Sequence, residues 1–340
     1  MSMTECIERA ITDMGHTMEI FDWYKFIIPG RLRERISFLN SWDVKRINRD
    51  LIQQVKRFKP DMLLVAGGFT IYPKTILAIR SLVNVVTVNW IADYPRNFDF
   101  HLKAGPYYDY FFTSGTDALE KYREAGNKNG YWLPFACHPE IHKPLTLTEE
   151  EKEKYGTDIC FVGSNYPERI EILEKLSDFD FGIWGIGWEK LQKDSPLKRL
   201  IRGGIVGPDE WVKIFNASKI VLNITPRKLL IKEAYIDEMD EKDFRMCNTR
   251  VFEILGCGAF QLIDAKADAM TLFEDRKHLV FYKNVDELIN LAKLYLHNPE
   301  ERKRIAENGR QIALEKHTYK HRIEEILSII GQNDKYKQII

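Results

Sequence analysis

The chain has 340 residues, more than one hydrophobic core usually fills, so two domains are expected. Lysine plus arginine and aspartate plus glutamate stand at 50 each, a formal net charge of zero, which argues against a nucleic-acid partner while leaving room for local basic pockets. The five cysteines, Cys6, Cys137, Cys160, Cys247 and Cys257, are an odd number without CxxC spacing, no apolar run is long enough for a membrane span, and the first residues lack a secretory pattern; reduced thiols, no metal site and a cytoplasmic location are expected.

Residues 4–14 carry apolar side chains at helical spacing and stop before Gly15, which suits a left-handed helix end. A strand is expected over 16–23, a helix over 43–58, a buried strand over 61–66 with Gly67 and Gly68 as the turn behind it, and a helix from Pro73. The β-branched run 84–91 reads as a strand ending in a polar cluster that holds Asp93. A strand over 107–113, a helix over 115–124 and a short strand over 130–134 complete this half. Such alternation argues for a parallel sheet covered on both faces. A doubly wound domain normally opens on a strand and a glycine-bearing turn, so the usual first strand is missing from this half.

Between residues 138 and 156 the chain turns polar and charged, as an interdomain connection does. A second series follows, with strands over 157–162, 181–184, 220–224, 260–263 and 278–282, and a helical charged tail over 300–330. The expected division is residues 1–140, residues 141–325 and a closing helix over 326–340 that packs across the junction.

Four segments carry candidate chemistry. Phe161-Val-Gly-Ser-Asn-Tyr-Pro-Glu-Arg169 leaves a strand through Gly163 and Ser164 into a helix opened by Pro167, whose free amides could hold a phosphate with Arg169 adding charge; an ordinary strand-to-helix turn is the alternative. Gly203-Gly-Ile-Val-Gly207 is a glycine-rich loop. Asn223 lies near the end of a buried strand with Arg227 and Lys228 just beyond it, placed for a pyrophosphate or simply solvated. Asn248-Thr-Arg-Val-Phe-Glu-Ile-Leu-Gly-Cys-Gly-Ala-Phe-Gln-Leu-Ile-Asp264 sets Asn248, Arg250 and Glu253 around a helix start; a carboxylate there could accept from two neighbouring hydroxyls, or cap the helix in a pair with Arg250.

The last segment resembles the C-terminal pattern N-x-R-x-F-E-x-x-x-C-G-A-F-x-L-x-D of group 1 glycosyltransferases of the CgeB-like, spore maturation protein-like family. His317-Thr-Tyr-Lys-His-Arg322 is similar to that family's H-T-Y-x-x-R signature. The resemblance implies an α/β chain of two doubly wound, Rossmann-like domains facing a cleft, the GT-B arrangement. It implies transfer of a sugar from a nucleotide diphosphate-sugar donor to a glycan, protein or small-molecule acceptor, with no bound metal or other cofactor. It also implies that Gly163, Ser164 and Arg169 line the donor cleft, that Val206 and Gly207 turn their backbone toward the nucleobase, and that Glu253 binds the donor ribose. The family's earlier glutamate is Arg245 here, which leaves the stereochemical course open. Asp93 is the candidate general base, an Asx turn before Pro95 being its alternative. A nucleotide-sugar epimerase of the same architecture and a non-catalytic nucleotide-binding scaffold are the rival readings.

Overall fold

The structure is a computed structural model that describes residues 3–92, 98–225, 230–231, 234–235 and 244–333. Its chain divides into two compact units, one of Glu8–Pro134 with Ile323–Ile340 and one of Phe135–Arg322 with Met1–Ile7.

In the first unit, helices α1 (Met3–Asp13), which begins in the other unit, α2 (Gly30–Arg35) and α3 (Ser37–Phe58) precede any strand. Four parallel strands then follow in spatial order β1 (Met62–Ala66), β2 (Val86–Ile91), β3 (Tyr110–Thr113) and β4 (Gly130–Trp132). They alternate with α4 (Pro73–Leu82), α5 (Phe98–Ala104) and α6 (Thr116–Glu124). β2 is buried at every residue, as a strand covered on both faces is, and its buried amide Asn89 donates to Val65 O and Gly67 O at 2.9 Å each.

The strand expected over 16–23 does not form. That segment is anchored through side chains instead: Trp23 Nε1 donates to Ala66 O at 2.9 Å, Thr70 Oγ1 donates to Trp23 O at 2.7 Å, and Phe21, Trp23 and Phe26 pack on the cluster of Ile47, Leu51, Val55, Val65 and Ile76. Gly67 and Gly68 make the turn behind β1 at φ of +71° and +82°. A Cβ on Gly68 would stand 2.3 Å from Val65 Cγ1, so that turn requires glycine.

The second unit holds α7 (Glu149–Tyr155) and a six-stranded sheet made of β5 (Ile159–Val162), β6 (Phe181–Trp184), β7 (Ile201–Gly203), β8 (Ile220–Asn223), β11 (Gln261–Asp264) and β12 (Val280–Tyr282). A two-residue hairpin, β9 (Leu230–Ile231) with β10 (Ala234–Tyr235), lies between β8 and β11 in sequence. The sheet is parallel, in order β12-β11-β8-β5-β6-β7.

Its helices are α8 (Pro167–Glu174), α9 (Pro208–Ala217), α10 (Arg250–Gly256), α11 (Ala267–Leu272), α12 (Val285–Leu296), α13 (Pro299–Lys316) and the start of α14 (Tyr319–Gly331). Alternation along β5 explains the layering. Ile159 and Phe161 join the cluster of α8, α12 and α13 side chains, while Cys160 and Val162 join that of α7, α9 and α10.

His317 and Arg322 fasten the two ends of this unit to each other. Cys137 N donates to His317 O at 2.9 Å, Tyr319 N donates to Cys137 O at 3.0 Å, and Arg322 donates to Phe135 O through Nε at 3.2 Å and Nη2 at 3.0 Å. The H-T-Y-x-x-R residues are therefore a staple for residues 135–137.

Candidate donor site

The sheet order fixes where a ligand can sit. From β5 the chain runs outward through β6 and β7, then returns to the other flank of β5 as β8 and continues to β11 and β12. The loops leaving β5 and β8 part toward α8 on one face and α10 on the other. Their C-terminal ends bound the crevice where open parallel sheets bind ligands.

Arg169 spans that crevice floor. It is buried, donates to Ile224 O through Nε at 3.1 Å and Nη2 at 2.7 Å, and donates to Ser164 O through Nη1 at 3.0 Å. Its ring neighbours are Phe161 and Tyr166, with the guanidinium carbon 5.2 and 5.0 Å from their centroids, and burial lowers its pKa to about 10. Expected as a phosphate cation, Arg169 thus spends its fork on carbonyls and holds the Gly163-Ser164 loop to the end of β8.

The same loop is laced to the one after β6. Gly163 N donates to Trp184 O at 2.9 Å, Asn165 N to Ile186 O at 3.1 Å, Asn165 Nδ2 to Gly187 O at 2.6 Å and Trp188 Nε1 to Gly163 O at 2.8 Å. A Cβ at Gly185 would come within 2.0 Å of Gly163 O, and one at Gly187 within 2.0 Å of Asn165 Oδ1. The sequence reading missed both glycines, although Trp184-Gly-Ile-Gly-Trp188 displays the spacing of a tightly apposed loop.

At the end of β8, Asn223 and Asn248 pair through their amides, with Asn248 Nδ2 donating to Asn223 Oδ1 at 2.9 Å and Asn223 Nδ2 donating to Asn248 Oδ1 at 3.2 Å and to Gln261 Oε1 at 2.9 Å. Gln261 Nε2 donates on to Val251 O at 3.2 Å, so the network fixes the first turn of α10. Beside it Thr225 N and Oγ1 donate to Asp264 Oδ1 at 2.9 and 3.0 Å, and the buried Lys266 ammonium stands 3.7 Å from Asp264 Oδ2. In the sequence Thr225 stands only as the neighbour of Arg227 and Lys228 beyond the strand and Asp264 only as the last residue of the family pattern, and Lys266 was not singled out. Their common position at strand ends shows only once β8 and β11 are paired.

Arg250 and Glu253 form the pair that the sequence left as one alternative, Nη1 to Oε2 at 2.8 Å, with the side chains 23 and 14% exposed. The two atoms are out of line for a hydrogen bond, and neither has a hydrogen-bond partner among the described residues. Arg250 also lies 4.7 Å from the Trp211 ring, whose buried Nε1 is equally without one. Trp211 belongs to α9, which Gly207 caps, and Val206 packs on the same cluster. Gly163, Ser164, Arg169, Asn223, Asn248, Arg250, Glu253, Val206 and Gly207 are thus all carried by the C-terminal edge of one sheet and the helices it launches. Asp93, Arg227 and Lys228 lie outside the described residues.

His142 sits behind α10, where its Nδ1 accepts from His138 N at 2.9 Å; burial lowers its pKa to about 4. A Cβ at Gly256 would meet His142 Cβ at 2.8 Å and Cys137 Cβ at 3.1 Å, so α10 seats directly on residues 137–142.

Two Rossmann-like units, the second with its polar atoms gathered at the switch point, define the chain as GT-B in fold. The chain belongs to the glycosyl transferase-like family, whose model matches residues 152–328. It is 23% identical to spore protein CgeB of Bacillus subtilis strain 168 over 264 residues, 75% of this chain and 78% of that one. A glycosyltransferase from Rickettsia africae ESF-5 superposes with a TM-score of 0.66 at 13% identity, over 99% of this chain and 94% of that one. Anabaena Alr3699/HepE in complex with UDP-glucose superposes with a TM-score of 0.60 at 12% identity, over 84 and 82% of the two chains. These likenesses agree with the CgeB-like resemblance read from the sequence.

Proposed function

We propose that the protein transfers a hexosyl group from a nucleoside diphosphate sugar to an acceptor hydroxyl in the cytoplasm, with no metal in the reaction. The observation that carries this reading is the buried polar group at the start of α10, where the Arg250–Glu253 ion pair and Trp211 Nε1 make no hydrogen bond to any described residue through Nη1, Oε2 and Nε1. Buried polar atoms are nearly always paired, so such a group at a sheet switch point calls for a ligand. In this reading Glu253 accepts from the two ribose hydroxyls, the backbone of Val206 and Gly207 faces the base, and the Gly163-Ser164 loop faces the diphosphate. Lys266 joins Arg227 and Lys228 in meeting the negative charge on the leaving group. The acceptor oxygen bonds to the anomeric carbon and gives its proton to Asp93, while the electron pair of the breaking C–O bond leaves with the diphosphate. UDP-glucose, the ligand named for the Anabaena neighbour, makes a uridine donor the first candidate.

A thermal-shift screen with UDP, GDP, dTDP, ADP and CMP tests the donor site. A nucleotide at a hundred times its dissociation constant adds about 2.7 kcal/mol, enough to raise the melting temperature visibly. A selective shift that Glu253→Ala abolishes supports the reading. No shift with any nucleotide overturns it and leaves the scaffold reading, and turnover of the donor to an epimer without acceptor replaces it with the epimerase.

A further inference from the structure

The first unit exposes an apolar ledge that the proposed chemistry does not use. Tyr24, Ile27, Leu32, Ile36, Phe38 and Trp42 are 59, 57, 48, 37, 69 and 52% exposed, all within nineteen residues of sequence. Exposed large side chains this dense mark a contact surface, whereas scattered single ones do not.

The exposure is built rather than incidental. Buried Asp43 accepts from the Ile27 and Ile28 amides at 3.0 Å each, which fixes the turn that holds Ile27 outward. Arg33 stacks 3.5 Å over the Phe26 ring and donates to Ile28 O at 3.0 Å, seating α2 on that turn. On α3, the inward residues Asp43, Val44, Ile47, Asn48 and Leu51 leave Phe38, Trp42, Lys45 and Arg49 on one outward stripe at helical spacing.

Charge names the occupant. Residues 20–49 contain seven basic residues against three acidic, one of which is buried Asp43, in a chain whose total charge is zero. Arg31, Arg35 and Lys45 are exposed around the apolar ledge, as is Arg49, which pairs with Asp50 at 3.2 Å. Aromatic and aliphatic side chains ringed by cations suit the boundary between headgroups and acyl chains of an anionic bilayer. We infer that α2 and the start of α3 dock this protein on an anionic membrane surface as a peripheral protein, bringing it to acceptors held there.

Co-sedimentation of the full chain with vesicles of phosphatidylcholine alone and of an equal mixture with phosphatidylglycerol tests this. The chain is expected to pellet with the anionic vesicles, to be released by raised salt, and to stay in solution with the neutral ones. Arg31→Gln with Arg35→Gln is expected to weaken partition roughly thirtyfold, from about a fivefold step per basic residue at the surface. Phe38→Ser with Trp42→Ser is expected to reduce it to the neutral-vesicle level while the melting curve stays in place, since both side chains face outward. Equal pelleting with both vesicles, or pelleting unchanged in both variants, overturns the inference. So does a dimer in vesicle-free sedimentation velocity that Phe38→Ser with Trp42→Ser dissolves, which assigns the ledge to self-association.

Discussion

Arg169 illustrates what a single side chain hides in a linear sequence. Its partner Ile224 O lies 55 positions onward, and only the pairing of β5 with β8 brings the two together. A cation six residues behind a strand-end glycine reads as a phosphate ligand because nothing local says that its donors are already committed. Lysine cannot reproduce a fork on two carbonyl groups. Arg169→Lys is expected to destabilise the second unit by about 3 kcal/mol, measured by urea unfolding, and to abolish any nucleotide-induced shift with it. The cysteines allow a second test. All five are buried, and burial raises the Cys137 and Cys160 thiols to about 12 and the Cys247 and Cys257 thiols further still. Ellman's reagent at neutral pH is expected to find no reactive thiol in the native chain and five after unfolding. Their lack of a pairing pattern was legible, and their inertness follows from where the strands and α10 place them.

Among the elements, the buried parallel strands of both halves were legible, because side chains covered on two faces are predominantly apolar, with the few polar ones, such as Asn223 and Gln261, paired to each other. The segment 16–23 was not. Its mixed apolar and polar order resembles a strand, yet its hydrogen bonds to β1 and α3 run through the side chains of Trp23, Gln54 and Arg57, which no periodicity encodes. The loop pair after β5 and β6 was also missed, since each glycine matters only for what the other loop puts against it. Gly187→Ala combines a left-handed backbone at φ +89° with a Cβ inside Asn165. The expected result is a loss of about 2 to 3 kcal/mol in chemical unfolding, with weaker nucleotide binding because the Gly163-Ser164 loop is displaced. At the start of α10 the sequence offered two readings of Glu253, and the structure supplies the Arg250 pair while leaving its Oε2 without a hydrogen-bond partner among the described residues.

For the molecule as a whole, two buried histidines of the second unit tie stability to pH. Nδ1 of His142 accepts from His138 N, and Nδ1 of His317 accepts from Arg322 Nη2 at 2.9 Å, so both rings must keep that lone pair. Burial lowers the first pKa from 6.5 to about 4, and burial with the Arg322 charge lowers the second from 6.5 to about 3. A base with a depressed folded pKa binds fewer protons folded than unfolded, so its contribution is complete above 6.5 and is lost as pH falls toward the folded value. Each ring is expected to withdraw about 1.4 kcal/mol per pH unit across that window, and His317→Gln is expected to flatten the slope by its share in urea melts between neutral and acid pH.

Neither unit is one continuous stretch of chain. The first takes Glu8–Pro134 together with Ile323–Ile340, and α14 passes from one unit to the other within its own length. Ile323, Ile326 and Ile330 form a buried face on that helix. On a ribosome this reverses the usual order of maturation. The half that emerges first waits for Ile323, Ile326 and Ile330 to be translated before it is complete, and a stop codon between residues 134 and 323 spares neither half.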